Sequence, residues 1–359
     1  MVELKRGNLL GTQADALVNT VNTEGVMGKG IALQFKKAFP ANYDAYRREC
    51  ESGHIQIGKV FVYELGALLP RYIFNFPTKK SWRHPSKVEY IRAGLSDLVK
   101  EVRRLHIRSI AIPPLGCGNG GLEWSKVRPL IEQAFADLRD VRVILFEPAG
   151  APKAAAMTNR TRRPRMTAGR AAVIALMNRY LVPGYDYPLS LLEVQKLAYF
   201  LQVAGQPLRL QYMPHLYGPY ADNLRHVLNH IEGHFTEGFG DGRNAPETPL
   251  RLLPGAAEEA GHFLRRDTET EDRLQRVARL IEGFETPLGM ELLATVHWVM
   301  THEAADAPDL ESIVRSVHAW SSRKAASMKS AQIHAAYDRL RTQGWGRHVG
   351  ARLQAPRGV

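Results

Sequence analysis

Two glycine-rich loops have the residue types and spacing needed to hold a phosphorylated ligand. Loop one, residues 19–30, contains Gly25, Gly28 and Gly30, and loop two, residues 114–121, contains Gly116, Gly118, Gly120 and Gly121. Glycine lets backbone N–H groups approach a phosphate closely, and the N-terminus of a following helix adds partial positive charge. A tight turn explains either loop alone, but two such loops in one small domain favour a pyrophosphate bound between them.

Loop two also fits the dinucleotide-binding pattern G-x-G-x-x-G at Gly116, Gly118 and Gly121. In nicotinamide-dependent enzymes that pattern follows the first strand of a βαβ unit, whereas here it follows the penultimate strand of its domain. We therefore do not expect an oxidoreductase. Cys117 lies inside the loop, but no His or Asp stands near it to activate a thiol, so we interpret it as a small loop residue.

Lys79 and Lys80 follow a predicted strand and should reach the same sheet edge as the loops. A lysine there can attack an anomeric carbon when unprotonated, or stay charged and stabilise a leaving base. Trp82 and Arg83 come next, and an aromatic ring beside a cation suits an unpaired nucleobase and its phosphate. The alternatives are an exposed lysine pair that only attracts DNA, and a tryptophan in ordinary packing.

Residues 1–148 alternate strands with helices, a pattern typical of a three-layer α/β/α sandwich around a mixed sheet. Strands are predicted at 16–21, 59–63, 71–76, 109–112 and 141–146, and helices at 31–39, 42–50, 89–105 and 124–138. The helix at 89–105 has apolar residues at helical spacing, among them Ile91, Leu95, Leu98 and Val102. This order puts both loops and Lys79 at the carboxyl ends of strands.

Residues 149–168 lack apolar periodicity and acidic residues, so we predict a basic linker there. Its basic residues are Lys153, Arg160, Arg162, Arg163 and Arg165. The chain carries a net charge of +12, and the excess falls in this linker and in the domain before it. Such a surface suits a polyanion such as DNA, and the alternative is charge that serves only solubility.

Residues 169–359 are predicted to form a second, mostly α-helical domain, with helices at 171–181, 191–203, 221–231, 272–284, 289–301 and 331–341. His226, His230 and His234 recur at four-residue spacing, which could place them on one helix face for a metal. Gly233 should end that helix before His234, and no Cys or H-E-x-x-H pattern accompanies it, so we expect no metal.

The bulk composition predicts a soluble protein of two domains. Hydrophobic residues make up 45% and charged residues 23% of the 359, which is ordinary for a globular protein. No apolar run is long enough to span a bilayer, and the first residues lack the apolar stretch of a signal peptide, so we expect a cytoplasmic protein with no membrane partner. Cys50 and Cys117 cannot build a disulfide framework or a CxxC zinc site.

Five separated motifs, in this order, resemble the macrodomain family over residues 1–148. They are Arg6–Leu10, Ala16–Asn22, Gly25–Ala32, Asn75–Lys79 and Pro113–Gly118. The resemblance is greatest to the macrodomains that remove ADP-ribose from DNA, and to the related terminal ADP-ribose glycohydrolases. It implies a domain that binds ADP-ribose and cleaves it from a nucleic-acid base, without a cofactor.

The resemblance also implies roles for individual residues. It implies that Lys79 is catalytic, while the residue chemistry described above predicts DNA contacts for Lys80, Trp82 and Arg83. The residues implied to bind ADP-ribose are Asn8, Leu9, Asn22, Gly25, Val26, Met27, Gly28, Gly30, Thr78, Gly116, Cys117, Gly118, Asn119, Gly120 and Gly121.

Two positions depart from the family pattern. Asn8 stands where macrodomains commonly have an Asp that contacts the adenine amine, and an amide can accept that bond without bringing charge. Gly120 stands where the glycohydrolase relatives have a loop-two Asp, and the nearest acid is Glu123. Lys79 would then work with backbone donors instead of an acid partner.

In the second domain, Val194–Leu201 and Leu216–Asp222 resemble the helical antitoxin domain called Panacea, and fit still better the C-terminal region of the DNA ADP-ribosyl glycohydrolases. This implies an antitoxin whose partners are ADP-ribosylated DNA, ADP-ribose and a cognate DNA ADP-ribosyltransferase toxin, which the second domain binds and inhibits. A core helix followed by a Gly-Pro turn explains the same motif residues. The alternative function is a non-catalytic ADP-ribose reader joined to a protein-interaction domain.

Overall fold

A computed structural model describes residues 2–181, 188–242, 245–303 and 309–346. The chain divides into two compact units: the first comprises Met1–Arg162 and Gly240–Arg243, and the second Arg163–Phe239 and Asn244–Val359. Within the described residues, no helix is both long and apolar enough to cross a membrane. The stretch predicted as a linker contains a 3-10 turn at Ala154–Ala156, and the next helix begins at Ala168.

The first unit is built on a six-stranded mixed sheet. Its strands are β1 (Val2–Lys5), β2 (Ala16–Val21), β3 (Phe61–Glu64), β4 (Tyr72–Pro77), β5 (Ser109–Ile112) and β6 (Arg142–Phe146). Their spatial order is β1-β6-β5-β2-β4-β3. Only β3 runs antiparallel to its neighbour, β4, and the other neighbours within this sheet are parallel.

Helices cover both faces of this sheet, which confirms the predicted three-layer α/β/α macrodomain class. They are α1 (Gly30–Ala38), α2 (Pro40–Glu51), α3 (Val88–Arg104) and α4 (Trp124–Ala134). Adjacent strand residues point to opposite faces, so Leu17 and Ile73 belong to one hydrophobic core cluster, while Val18 and Phe74 belong to another. A strand with helices on both faces has no solvent-facing side, and β4 is accordingly buried along its length.

The predicted element bounds need three corrections. The first two helices meet at Phe39, because Pro40 occupies the first position of α2, where its missing N–H costs nothing. The helix expected at 124–138 ends at Ala134. Strand β1 was not predicted, and its parallel pairing with β6 joins opposite ends of the first 148 residues.

The second unit is mostly helical, as expected. Its helices are α5 (Ala168–Tyr180), α6 (Leu191–Val203), α7 (Leu224–Ile231), α8 (Ala256–Leu264), α9 (Thr268–Ile281), α10 (Pro287–Trp298), α11 (Leu310–Trp320), α12 (Ser322–Ser327) and α13 (Ser330–Thr342). Short strands accompany them: β7 (Leu189–Ser190), β8 (Met213–His215), β9 (Gly218–Tyr220), β10 (Thr236–Glu237) and β11 (Pro249–Leu252). His226 and His230 lie on α7, whereas His234 lies beyond its end.

Candidate active site

Three segments of the predicted site follow strands that end at the same sheet edge. Loop one follows β2, Lys79 follows β4, and loop two follows β5. β2 pairs in parallel with both β4 and β5, with Val21 opposite Pro77 in the first pair. Ligands of open α/β sheets bind at such carboxyl ends, so the strand order itself assembles the site.

Loop one is folded by the side chain of Asn22. Its Oδ1 accepts from the backbone N–H groups of Glu24 and Val26 at 2.9 and 3.2 Å, and its Nδ2 donates to the Val26 carbonyl at 2.6 Å. The Tyr46 hydroxyl donates to the Asn22 carbonyl at 2.7 Å. Gly25 has a φ of +79°, the left-handed region that glycine enters freely. Asn22 therefore shapes the loop that the sequence predicted would bind ADP-ribose.

The other loop-one residues alternate between core and surface. Met27 is buried with its Sδ 3.8 Å from the Asn19 amide, while Val26 and Gly28 are exposed. Thr78, across from the loop, is buried, and its N–H donates to the Val21 carbonyl at 2.9 Å. Val26 and Gly28 are thus exposed residues of loop one, although both backbone polar groups of Val26 are already bonded to the Asn22 side chain.

Helix α1 has contacts that sequence analysis missed. The Gly30 N–H donates to the Asp241 carbonyl at 2.7 Å, and the Lys37 ammonium donates to the Gly240 carbonyl at 3.0 Å. The Gln34 amide lies 3.4 Å from the Asp241 carboxylate. All of these residues belong to the first unit. No local signal marks this pairing, because the partners lie about two hundred residues apart in sequence.

Loop two is tightly closed on itself. The Gly121 N–H donates to the Gly118 carbonyl at 3.1 Å, and the Leu122 N–H donates to the Gly116 carbonyl at 3.0 Å. The Ser86 N–H donates to the Gly120 carbonyl at 2.9 Å. A Cβ on Gly120 would lie 2.9 Å from the Ser86 Cβ, and nearer still to the Ser86 Oγ and the Gly116 carbonyl oxygen. Position 120 therefore has no room for a side chain.

Cys117 lies within loop two, and it is half-buried. Burial raises the pKa of its thiol to about 11, so the sulfur stays protonated and unreactive at neutral pH. This agrees with its interpretation as a loop residue and not a nucleophile.

Lys79 bridges two of the segments. Its Nζ donates to the Asn119 carbonyl in loop two at 3.0 Å and lies 3.4 Å from the Trp82 carbonyl. Partial burial lowers the pKa of the Lys79 ammonium below its usual 10.5, because leaving water disfavours the charged form. Lys79 thus has a larger unprotonated fraction at neutral pH than an exposed lysine.

Lys80, Trp82 and Arg83 form an exposed turn after β4. Trp82 is 43% exposed, and the Arg83 guanidinium lies 4.9 Å from the centroid of its ring. The Lys80 carbonyl accepts from the Thr23 N–H at 3.0 Å, so the turn is fastened to loop one. Glu24 also contacts this turn; sequence analysis missed it, since a single acid in a loop gives no pattern.

Asn8 and Leu9 lie at the start of a 3-10 turn. The Asn8 Oδ1 accepts from the Leu10 N–H at 3.1 Å, and its Nδ2 donates to the Ala156 carbonyl at 3.0 Å. Leu9 is buried. The hydrogen bonds of the Asn8 side chain thus go to its own turn and to Ala156, whereas loop one, loop two and the Lys79 turn are bonded to one another. Over the described stretches, no three His, Cys, Asp or Glu side chains cluster to hold a metal.

The two motifs singled out in the second unit meet in its interior. The Lys196 ammonium on α6 donates to the Pro219 carbonyl at 2.7 Å. The Gln195 amide exchanges two hydrogen bonds with the Ala221 backbone, at 3.1 and 3.2 Å. Both side chains are buried, so these motif residues hold the unit together, and a surface that meets another protein must use other residues.

The mixed sheet, with two glycine loops and a lysine at one edge, defines a macrodomain, and residues 18–131 match the Macro domain family. The chain is 50% identical to a DNA ADP-ribosyl glycohydrolase of Thermus aquaticus, over 96% of this chain and 94% of the relative. The solved macrodomain of Thermus aquaticus DarG is 60% identical over 41% of this chain and 99% of that chain, with a TM-score of 0.40. The chain belongs to the family of DNA ADP-ribosyl glycohydrolases.

A further relative joins two activities in its name. It is a DNA ADP-ribosyl transferase-DNA ADP-ribosyl glycohydrolase fusion protein of Thermosipho africanus, 34% identical over 36% of this chain and 38% of its own length. The family that the five sequence motifs predicted is confirmed by the full-length relative.

Proposed function

We propose that this chain hydrolyses the N-glycosidic bond between ADP-ribose and a DNA base, with thymine in single-stranded DNA as the substrate, in the cytoplasm. The observation that carries the proposal is the position of the Lys79 amino group, between loop two and the Trp82 backbone. The proposed ADP-ribose contacts are Asn8, Leu9, Asn22, Gly25, Val26, Met27, Gly28, Gly30, Thr78, Gly116, Cys117, Gly118, Asn119, Gly120 and Gly121.

The lowered pKa of Lys79 supports a role as nucleophile. An unprotonated amine has two N–H donors and one lone pair, and two carbonyl oxygens, those of Asn119 and Trp82, face its Nζ. The lone pair is then left for the anomeric carbon. As the bond from that carbon to the Lys79 nitrogen forms, its bond to the base nitrogen breaks and the base leaves with the electron pair. Water then attacks the same carbon and its hydroxyl stays on ADP-ribose; the lysine nitrogen leaves as the amine, and the remaining proton goes to the departed base.

The exposed turn after β4 suits the DNA. The indole of Trp82 can stack on an unpaired base, while Arg83 and Lys80 pair with phosphates. A modified base must leave a duplex to reach the sheet edge, which favours a single-stranded substrate.

The proposal is tested with an oligonucleotide carrying ADP-ribose on thymine, incubated with the full chain, its Lys79→Ala variant and a Lys126→Ala control. Lys126 is an exposed lysine on α4 paired with Glu123. We expect release of ADP-ribose by the parent and the control but not by Lys79→Ala. Cyanoborohydride should trap a covalent ADP-ribose adduct in the parent and the Lys126→Ala control but not in Lys79→Ala, because it reduces the imine in equilibrium with a lysine adduct. Release by Lys79→Ala at the parental rate would remove Lys79 from the chemistry.

A reader of ADP-ribose without turnover is the second candidate. It is favoured by Gly120, because a side chain at that position, such as the Asp expected from the family resemblance, does not fit against Ser86 and Gly116. Tight binding of the modified oligonucleotide by the parent, with no release over hours, would select this candidate.

For the second unit we propose a toxin-binding role, with residues 1–148 as the macrodomain, 149–168 as the basic linker and 169–359 as the antitoxin domain. The proposed partner is a cognate DNA ADP-ribosyltransferase, and support comes from the relative whose name joins a transferase and a glycohydrolase in one chain. The Lys79→Ala variant separates the two roles, since it should not reverse the modification. We expect it still to lower the initial rate of the transferase, and an unchanged rate would contradict toxin binding.

A further inference from the structure

Glu24 makes contacts that its place in loop one did not predict. Its Oε2 accepts from the Ser81 hydroxyl at 3.0 Å and from the Trp82 N–H at 3.2 Å. The neighbouring Thr23 donates twice to the Lys80 carbonyl, from its N–H at 3.0 Å and its hydroxyl at 2.9 Å. Two consecutive residues of loop one thus hold three consecutive residues of the turn after β4.

The other side of the same turn is held by Lys79. The Trp82 carbonyl faces the Lys79 Nζ, whereas the Trp82 N–H faces the Glu24 carboxylate. The backbone of Trp82 therefore lies between an acid and the proposed nucleophile. A shift of this turn displaces both the exposed indole and a carbonyl that orients the lysine nitrogen.

We propose that Glu24 is a positioning residue for the reaction on DNA. Its carboxylate holds the Ser81–Trp82 turn against loop one, so that the Lys79 nitrogen and the Trp82 ring keep a fixed separation. This rests on the proposed function, in which those two side chains act on base-linked ADP-ribose. Loop one itself is folded by Asn22, so loss of Glu24 should leave the binding of free ADP-ribose largely intact.

The test compares Glu24→Ala, Glu24→Gln and a Glu132→Ala control in the full chain. Glu132 pairs with Arg128 on α4, away from these contacts. We expect Glu24→Ala to lower kcat/KM on the modified oligonucleotide by about 10²-fold, the size typical of a displacement near 1 Å at a reacting centre. Glu24→Gln should stay within about threefold of the parent, because its amide oxygen still accepts from both donors. The Kd for free ADP-ribose should change little in either variant.

A second readout does not depend on turnover. Hydrogen exchange at residues 80–82 should accelerate in Glu24→Ala and stay slow in Glu24→Gln, because the Trp82 N–H loses its acceptor only in the first. Parental exchange and parental kcat/KM in Glu24→Ala would overturn the proposal. A Glu24→Gln variant with a kcat/KM as low as that of Glu24→Ala would also overturn it. In that case the negative charge of Glu24, and not its hydrogen bonds to the turn, would support the reaction. The two proposals can also be told apart. If the parent releases no ADP-ribose while exchange at residues 80–82 accelerates only in Glu24→Ala, the proposed function is wrong but Glu24 still anchors the turn.

Discussion

The most direct test of the loop-two geometry is Gly120→Ala. The added Cβ would lie 2.9 Å from the Ser86 Cβ, against 3.4–4 Å for ordinary contact. The Ser86 Cβ must move by roughly 0.5 Å to relieve this one clash. The Gly116 carbonyl oxygen lies nearer to the added Cβ and belongs to the backbone, so it must move further. Overpacking of this kind costs about 1–3 kcal/mol. We expect a lower free energy of unfolding by that amount and a displaced Asn119 carbonyl, with a loss of kcat/KM approaching 10²-fold.

The assay combines denaturant unfolding with ADP-ribose release, and uses Gly261→Ala as the matched control. Gly261 lies on the exposed side of α8, where a Cβ would meet nothing within 4 Å, so alanine should be neutral or stabilising by about 1 kcal/mol. Adding Ser86→Gly to Gly120→Ala should restore part of the lost stability, because it removes one of the two clashing groups. A Gly120→Ala variant with parental stability and parental kcat/KM would refute the reasoning, and so would Gly120→Asp if it gained activity.

Three further predictions concern other residues. Because burial lowers the pKa of Lys79, kcat/KM should rise with pH through the neutral range and level off below pH 10.5; a fall over that range in a pH–rate profile would instead assign a charged role. Trp82→Ala should raise KM for the modified oligonucleotide about tenfold or more, as loss of one stacked base predicts, while calorimetry finds an unchanged Kd for free ADP-ribose; an unchanged KM would contradict stacking. Burial holds the pKa of His297 at about 3 against 6.5 unfolded, so its contribution to stability is complete above pH 6.5 and falls as the pH drops toward 3. His297→Gln should lower stability at pH 7, and its unfolding midpoint should fall less steeply than that of the parent as the pH drops from 6.5 toward 3. The same pH dependence of the midpoint in both proteins would contradict this account.

The sequence predicted the parts of the site that depend on local chain geometry. Glycine positions, strand ends and the lysine after β4 are readable from neighbouring residues, and parallel strands bring such segments to one edge whatever lies between them. The same logic found the helical spacing of α3 and the break between α1 and α2.

The missed parts are contacts between residues distant in sequence. Glu24 with Trp82, Ser86 with Gly120 and Gly30 with Asp241 are single pairs without periodicity, and nothing in the neighbours of either partner identifies the other. Helices α8, α11 and α12 were also missed. For α12, six residues give too few turns for a hydrophobic period to stand out.

The first unit takes its residues from two distant parts of the chain, Met1–Arg162 and Gly240–Arg243. During translation, the acceptor for the Gly30 N–H does not exist until the ribosome has added about 80 residues beyond the first part. At about 5–20 residues per second, that is a delay of roughly 4–16 s. A nascent chain can form the sheet in this time but not the Asp241 contact at the start of α1. This part of loop one therefore matures only after all six strands of the sheet have been made.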